Sequence, residues 1–183
     1  AQEIKRIQPE WWFGGAIGMN FNFYSSDFRN LNAGNSLPVS FTKGSGVGLF
    51  FSPMIEYRPD PVWGGMLYFG FDGRGGTFTD RAANGTLYSL STSMNYLSLE
   101  PSVRYSPFKF SLYFFAGPRL GFNVAKSFSL KRSPGLNADA DFDNVRGTSI
   151  GAQLGAGYEF PLSAPEKEWQ MIASPFLALH FGQ

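Results

Sequence analysis

The 183-residue chain contains no cysteine and a single histidine, His180. The lack of cysteine excludes a disulfide framework, a thiolate zinc site, a thiol nucleophile and lipid attachment to an N-terminal cysteine. The single histidine excludes a multi-histidine metal site. Charged residues make up only 16% of the chain and cancel to a formal net charge of +1, whereas soluble domains average about 25% charged residues. This balance argues against a nucleic-acid partner.

Long apolar runs are also missing, because no stretch of about 18 consecutive apolar residues occurs, and this excludes a helical membrane protein. No segment shows a convincing helical period of 3.6 residues. The chain is instead rich in aromatic residues, at 17%, and it contains 20 Phe and 22 Gly residues. This composition is unusual for a soluble globular protein and favours a β-rich protein, with membrane insertion left open.

The dominant pattern is an alternation of period two, which is typical of strands with two different faces. Between Trp11 and Tyr24, large apolar residues occupy every odd position except Gly15, and small or polar residues occupy most of the even ones. Seven segments alternate in this way, namely 11–24, 43–58, 63–77, 90–105, 110–126, 148–160 and 169–181. The sequence therefore predicts an all-β, antiparallel, up-and-down fold that forms one domain over residues 1–183.

The polar faces distinguish two architectures, a soluble barrel or sandwich and a transmembrane barrel with a polar lumen. These faces are rich in Gly, Ala and Ser, as a narrow lumen requires. Their charges balance, with four acids and four arginines, namely Glu56, Asp72, Glu100, Glu159, Arg58, Arg74, Arg104 and Arg119. Because an unpaired buried charge costs several kcal/mol, we interpret these residues as an ion-pair network in the lumen. A soluble barrel remains the alternative, since it alternates as well.

The connections and the tryptophans favour the transmembrane architecture. Long polar connections at 25–42, 80–88 and 131–144 alternate with shorter ones at 59–62, 106–109 and 161–168, as in outer-membrane barrels. All four tryptophans precede or begin strands on the short-turn side, where an interface girdle is expected, namely Trp11, Trp12, Trp63 and Trp169. We therefore predict a small transmembrane β-barrel of about eight strands, seven of them clear, with residues 1–10 as an N-terminal periplasmic extension.

Several strand patterns resemble known proteins, among them residues 97–105, residues 112–122, the segment Gly155–Phe160 and the opening Trp-Trp-Phe-Gly-Gly. They resemble bacterial outer-membrane β-barrel proteins of the PorT-like and OmpA-barrel type that are common in Bacteroidetes. The resemblance implies an outer-membrane location and a small barrel, without fixing an activity. The chain opens on Ala1, and we expect a mature protein whose signal peptide has been removed.

The strand count departs from the even numbers of bacterial single-chain barrels. We expect either a final strand or a further domain beyond residue 183, or a strand within a long connection. The stretch 127–143 is alternatively an extended hairpin above the membrane. Many OmpA-type proteins continue into a periplasmic peptidoglycan-binding domain.

Two motifs resemble sites of catalysis or metal binding. In both cases the surrounding sequence favours a structural role instead. Residues 147–151 match the G-x-S-x-G nucleophile elbow around Ser149, with Glu159 and His180 downstream, but the elbow requires a strand–turn–helix setting and this segment is an alternating strand. Asp139, Asp141 and Asp143 alternate along the chain and are compatible with a weak cation site. The glycine and glutamate of a calcium-binding loop are missing, however. We therefore expect neither an enzyme nor a cofactor.

The sequence leaves three functions open. The first is a structural anchor or interaction subunit with a plugged lumen, the second is a narrow pore for ions or small solutes, and the third is an outer-membrane hydrolase. The expected partners are outer-membrane lipid and lipopolysaccharide, together with other envelope proteins and no nucleic acid. The phosphates of lipopolysaccharide can be met by Lys131, Arg132 and Arg146.

Overall fold

The computed structural model describes residues 9–32, 35–107, 111–133, 135–141, 147–164 and 166–182. These residues form β-strands joined by turns. The strands are β1 (Trp11–Asn32), β2 (Asn35–Tyr57), β3 (Trp63–Gly73), β4 (Gly76–Arg81), β5 (Leu87–Tyr105), β6 (Leu112–Ser133), β7 (Leu136–Asp141), β8 (Thr148–Tyr158), β9 (Phe160–Pro161), β10 (Ile172–Ala173) and β11 (Phe176–Gly182). Within the described ranges, no helix is long and apolar enough to cross a bilayer.

One large sheet contains every strand except β9 and β10, which pair with each other. Its order is β1-β2-β3-β5-β6-β8-β11, and all neighbours are antiparallel. β4 pairs with the same two neighbours as β3, and β7 pairs with β6 as β8 does. The described part of the chain therefore makes seven successive passes, each beside the previous one. The predicted all-β, up-and-down antiparallel fold is confirmed.

The first hairpin illustrates how the alternation sets the register. β1 pairs with β2 without a shift from Trp11 opposite Tyr57 to Ser25 opposite Lys43. A slip of one residue would move every large apolar side chain to the other face, so the pattern holds one register. The tight turn after β2 is fixed by Asp60. Its carboxylate accepts hydrogen bonds from the backbone N–H groups of Val62 and Trp63 at 2.7 and 2.9 Å. These bonds lower the pKa of Asp60, because they stabilise its ionised form.

The strands are longer at one end than the alternation indicates. Residues 25–42, expected as a polar connection, contain the ends of β1 and β2, and the ladder of β6 with β7 joins Ser127 to Asp141 and Arg132 to Leu136. Polar residues support strand pairing here because the ladder bonds are made by the backbone. The second of these ladders is the extended hairpin considered for residues 127–143, of which the structure describes 127–133 and 135–141.

The last strand of the large sheet begins later in the chain than the alternation predicts. The alternation places the strand from Trp169, whereas β11 begins at Phe176. Ile172 and Ala173 belong to β10 and pair with Pro161 and Phe160. Pro175 follows them, and proline has no N–H to donate to a ladder. The chain therefore makes a small separate hairpin before it enters the large sheet.

The apolar face of the sheet is exposed and the polar face is buried, which is the reverse of the arrangement in a soluble protein. Phe23, Ile17 and Phe13 expose 84%, 83% and 75% of their surfaces, whereas Asp72 and Glu100 expose 1% and 2%. In β5 the pattern of buried and exposed residues alternates along the strand, with the charged positions buried. The apolar face is therefore the outer one, and the polar face encloses the interior.

Candidate functional site in the barrel interior

Two groups of charges lie in the interior, and together they contain all eight residues of the predicted network. The girdle-end cluster lies next to the ends of the strands that carry Trp11 and Trp63, and it consists of Glu56, Arg58, Arg104 and Glu159. Arg58 binds Glu56 through two nitrogens at 2.6 and 2.7 Å and also reaches Glu159 at 2.5 Å. Arg104 lies 3.1 Å from each of the same two carboxylates. Each acid is therefore shared by two arginines.

The central cluster lies further along the same strands and consists of Asp72, Arg74, Glu100 and Arg119. Arg74 Nε and Arg119 Nη2 lie 2.5 and 2.6 Å from Asp72 Oδ2, and Arg119 Nε lies 2.8 Å from Glu100. The side-chain amide of Asn20 also donates to Asp72. Two acids and two bases again balance, as buried charges require.

Three of the four arginines also stack on aromatic rings. The guanidinium carbon of Arg58 lies 4.6 Å from the ring centroid of Trp12, that of Arg104 lies 4.6 Å from Tyr113, and that of Arg74 lies 4.3 Å from Tyr96. Such contacts favour a desolvated cation. Trp12, Tyr96 and Tyr113 are thus interior residues, which the alternation indicates because each lies on a polar face.

Apolar side chains fill the interior next to the charges. One group packs close to both clusters and consists of Ala16, Phe50, Met66, Tyr68, Tyr113 and Phe115. A second group packs at the far end of the sheet and consists of Phe41, Phe78, Tyr88, Leu90, Phe128 and Leu130. The first group leaves little lumen open, since Phe115 exposes 2% and Met66 and Tyr68 each expose 4%.

Glycines make room for the largest of these rings. Phe115 and Tyr113 face Gly155 and Gly157 directly across the ladder of β6 with β8. A Cβ atom added to Gly155 would fall on the Phe115 ring, and one added to Gly157 would fall on the Tyr113 ring. Gly155 and Gly157 are therefore required by the aromatic filling of the interior.

Paired aromatic rings on the outer face surround the girdle end. The ring centroids of Trp11 and Tyr57 lie 4.7 Å apart, and those of Trp63 and Tyr105 lie 4.6 Å apart. Trp169 lies in the connection that carries β9 and β10, 57% exposed and with Lys167 Nζ 4.6 Å from its ring centroid. Of the four tryptophans of the predicted girdle, Trp12 alone faces the interior. Amphipathic rings at this level are expected at a membrane interface.

The exposed apolar face, the buried charges and the ring of aromatics are what a lipid-facing barrel requires. A family model, the outer membrane protein beta-barrel domain, matches residues 1–174. The chain belongs to this family. Its location is therefore the bacterial outer membrane. No curated protein and no solved structure matches the chain.

The residues of the suggested hydrolase are not brought together in this barrel. Ser149 lies in β8 and accepts a hydrogen bond from Arg74 Nη1 at 3.3 Å. His180 lies on β11 opposite Gln153, four positions further along β8 than Ser149. Four positions span roughly 13 Å along a strand. A serine–histidine pair requires hydrogen-bond contact, and this separation is too long for one.

The acidic candidates are exposed at the far end of the barrel. Asp139 and Asp141 lie on β7 opposite Ser129 and Ser127, while Asp143 lies outside the described residues. In the part of the chain that the structure describes, no three His, Asp or Glu side chains are grouped as metal ligands.

Proposed function

We propose that this barrel is a non-conducting structural unit of the outer membrane, which anchors or presents other envelope components. The observation that carries the proposal is the filling of the interior by two ion-paired clusters and by aromatic side chains. An eight-stranded barrel has an interior just wide enough for side chains to interlock. A solute would have to displace buried ion pairs, and breaking one such pair costs about 3 kcal/mol or more.

The ends of the strands suggest how such a barrel would meet its partners. On β5 the outward positions are apolar at Leu97 and Leu99, and they become polar at Ser89, Ser91 and Ser93. The strands thus continue beyond the lipid-facing belt as a polar rim. Lys131 and Arg132 lie on this rim, and Lys131 is paired with Ser89. We propose that the rim contacts lipopolysaccharide and envelope proteins, as expected for a barrel of the PorT-like or OmpA type.

The proposal assigns no enzymatic activity and no cofactor to the barrel. It is supported by the distance between Ser149 and His180 along the ladder of β8 with β11. It is also supported by the use of the interior charges, which pair with one another. A catalytic group has to remain available to a substrate.

Conductance in planar bilayers distinguishes this proposal from a narrow pore. We expect the protein, expressed at the length its gene encodes, to insert without steady single-channel steps, whereas an open porin inserted in the same bilayers conducts. The double variant Glu100→Ala/Arg119→Ala removes one acid and one base and should raise the frequency of current steps. Lys131→Ala, on the rim, is the matched control and should remain silent. Steady and reproducible channels of the unmodified protein would overturn the proposal in favour of a pore.

A further inference from the structure

A hydroxyl-rich face lies on the outer side of the sheet, at the end away from the girdle. It is formed by three adjacent strands, β5, β6 and β7. Residues directly opposite each other in a ladder share a face. Two rows make up this serine–aspartate face, namely Ser91, Ser129 and Asp139 in one row and Ser93, Ser127 and Asp141 in the other. All six side chains are exposed or half-buried, and they line a shallow hollow of about 540 Å³.

A β-bulge in β6 produces this arrangement. The ladder joins Asn95 to Ala125 but joins the next residue, Tyr96, to Asn123, so Val124 is one extra residue in β6. The side-chain amide of Asn123 supports the bulge, because it donates to the carbonyl oxygens of Asn95 and Ala125 at 3.4 and 3.1 Å. One extra residue exchanges the two faces of a strand, and bulges commonly redirect side chains in this way.

The exposure of the residues on either side of the bulge shows the exchange. On the girdle side, even-numbered positions of β6 face lipid, as at Phe122, which exposes 48% of its surface. Beyond the bulge, Phe128 and Leu130 are also even-numbered, yet they pack inside and expose 5% and 9%. Without the extra residue, these two apolar side chains would lie outward in place of Ser127 and Ser129. The bulge therefore places serines on the outer face and supports them from behind with packed apolar side chains.

The serine–aspartate face lies just above the hydrocarbon of the outer leaflet. The girdle end carries the short turns, which are periplasmic in outer-membrane barrels, so the opposite end meets the cell exterior. On β5, Ser93 lies four positions beyond the lipid-facing Leu97. Four positions correspond to about 13 Å along the strand and about 10 Å in height for a tilt of about 40°. Because the headgroup layer adds only about 5–7 Å to each side of the hydrocarbon, the face points sideways at the level of the sugars of a glycolipid.

The side chains of the face have the hydrogen-bonding chemistry that sugar hydroxyls require. Serine hydroxyls both donate and accept, and each carboxylate accepts from two neighbouring hydroxyl groups. Lys131 and Asn137, in the next row, add donors and line an adjoining hollow of about 270 Å³. The two carboxylates disfavour a phosphate as the main ligand. They also fall short of a cation site, since no third acid joins them among the described residues.

We propose that the serine–aspartate face binds the sugar part of an outer-leaflet glycolipid through direct hydrogen bonds. The inference rests on the proposed contact between the rim and lipopolysaccharide, and it assigns that contact to sugar hydroxyls. A lipid-anchored sugar is favoured over a soluble one because the face points along the membrane plane, directly above the lipid-facing belt of the same strands. A glycolipid that surrounds the barrel therefore presents its sugars to this face without leaving the membrane.

Fluorescence anisotropy with the full gene product in lipid nanodiscs tests the proposal. The probe is a labelled oligosaccharide that is released from the lipopolysaccharide of the same outer membrane and is free of lipid A. The variant Ser91→Ala/Ser129→Ala/Asp139→Ala removes the polar groups of one row, and we expect the affinity for the probe to fall about tenfold or more. The matched control is Ser25→Ala/Ser45→Ala, because both serines are exposed on the rim of β1 and β2. Its affinity should stay within about twofold of the parent.

The second row provides an independent variant, Ser127→Ala/Asp141→Ala, which should also weaken binding and which replaces the first variant if that one fails to insert. Equal affinity of the row variants and the parent, or no binding by the parent, would overturn the proposal. Loss of binding in EDTA would overturn it in favour of a bridging cation.

Competition with lipid A separates this inference from the proposed function. Lipid A micelles should not displace the probe, because the phosphates of lipid A are not the groups that the face binds. Displacement by lipid A, together with loss of binding in Lys131→Ala alone, would indicate a phosphate contact. That result would overturn the sugar site and leave the proposed rim contact in place. Steady channels in planar bilayers would instead refute the non-conducting role and leave the sugar site in place.

Discussion

At the scale of single residues, the interior depends on matched charges. Asp72 and Glu100 are nearly inaccessible to solvent, and Arg119 joins them with contacts of 2.6 and 2.8 Å. Burial alone would disfavour each of these ions, and a guanidinium between two carboxylates offsets that penalty. A charge is thus tolerated at these positions only together with its partners.

Replacing Arg119 tests this dependence. Arg119→Met keeps much of the side-chain volume but removes the guanidinium from Glu100, so we expect the free energy of unfolding to fall by about 3 kcal/mol or more. Asp72 retains Arg74. The double variant Arg119→Met/Glu100→Gln should recover part of the loss because it also removes the stranded carboxylate. Denaturant unfolding in detergent micelles measures both variants, and equal stability of Arg119→Met and the parent would contradict the network.

A second residue-scale prediction concerns the glycine opposite Phe115. The Cβ atom of Gly155→Ala would overlap the Phe115 ring and approach the carbonyl oxygen of Leu177 to 2.7 Å, so we expect a loss of about 1–3 kcal/mol. Gly18→Ala is the control, because its Cβ atom would have no neighbour within 4 Å. The same unfolding assay compares the two. If Gly18→Ala were the more damaging substitution, the close packing of β6 against β8 would be refuted.

At the scale of elements, the alternation of residues predicts much of the sheet. It indicates the passes of β1, β2, β3, β5 and β6, and it indicates which face of each is apolar, because a period of two is imposed by the pleat of a strand. It cannot give the extension of β1 past Ser25, where the backbone continues to pair with β2 although the sequence is largely polar. Nor does it predict that Arg58 meets Glu159, 101 positions away, because that contact depends on the curvature of the whole sheet.

The level at which β5 leaves the lipid is a prediction at this scale. Ser91 and Leu99 both face outward, about 26 Å apart along the strand. The chain has no cysteine, so single variants Ser91→Cys and Leu99→Cys can be labelled without background. We expect a charged, membrane-impermeant maleimide to label Ser91→Cys rapidly and Leu99→Cys slowly in bilayers. Equal rates at both positions would contradict the assignment of the polar rim.

At the scale of the whole molecule, the central claim is the orientation of the two faces. The apolar residues of β1, from Trp11 to Phe23, span about 30 Å across a bilayer for a strand tilted by about 40°. That span is close to the hydrocarbon thickness of a membrane. The ion-paired clusters lie on the opposite face. In water, a barrel whose faces are oriented as in this structure would expose the aromatic belt and keep its charges buried, and both are unfavourable.

Analytical ultracentrifugation of the refolded protein, with and without detergent, tests this orientation most directly. We expect a folded monomer bound to a detergent micelle, with the strand signature in circular dichroism, and aggregation once the detergent is removed. Exposed apolar belts of this size associate in water. A folded, monodisperse monomer in plain buffer would contradict the account, because it would show that the face carrying Phe13, Ile17 and Phe23 does not meet lipid.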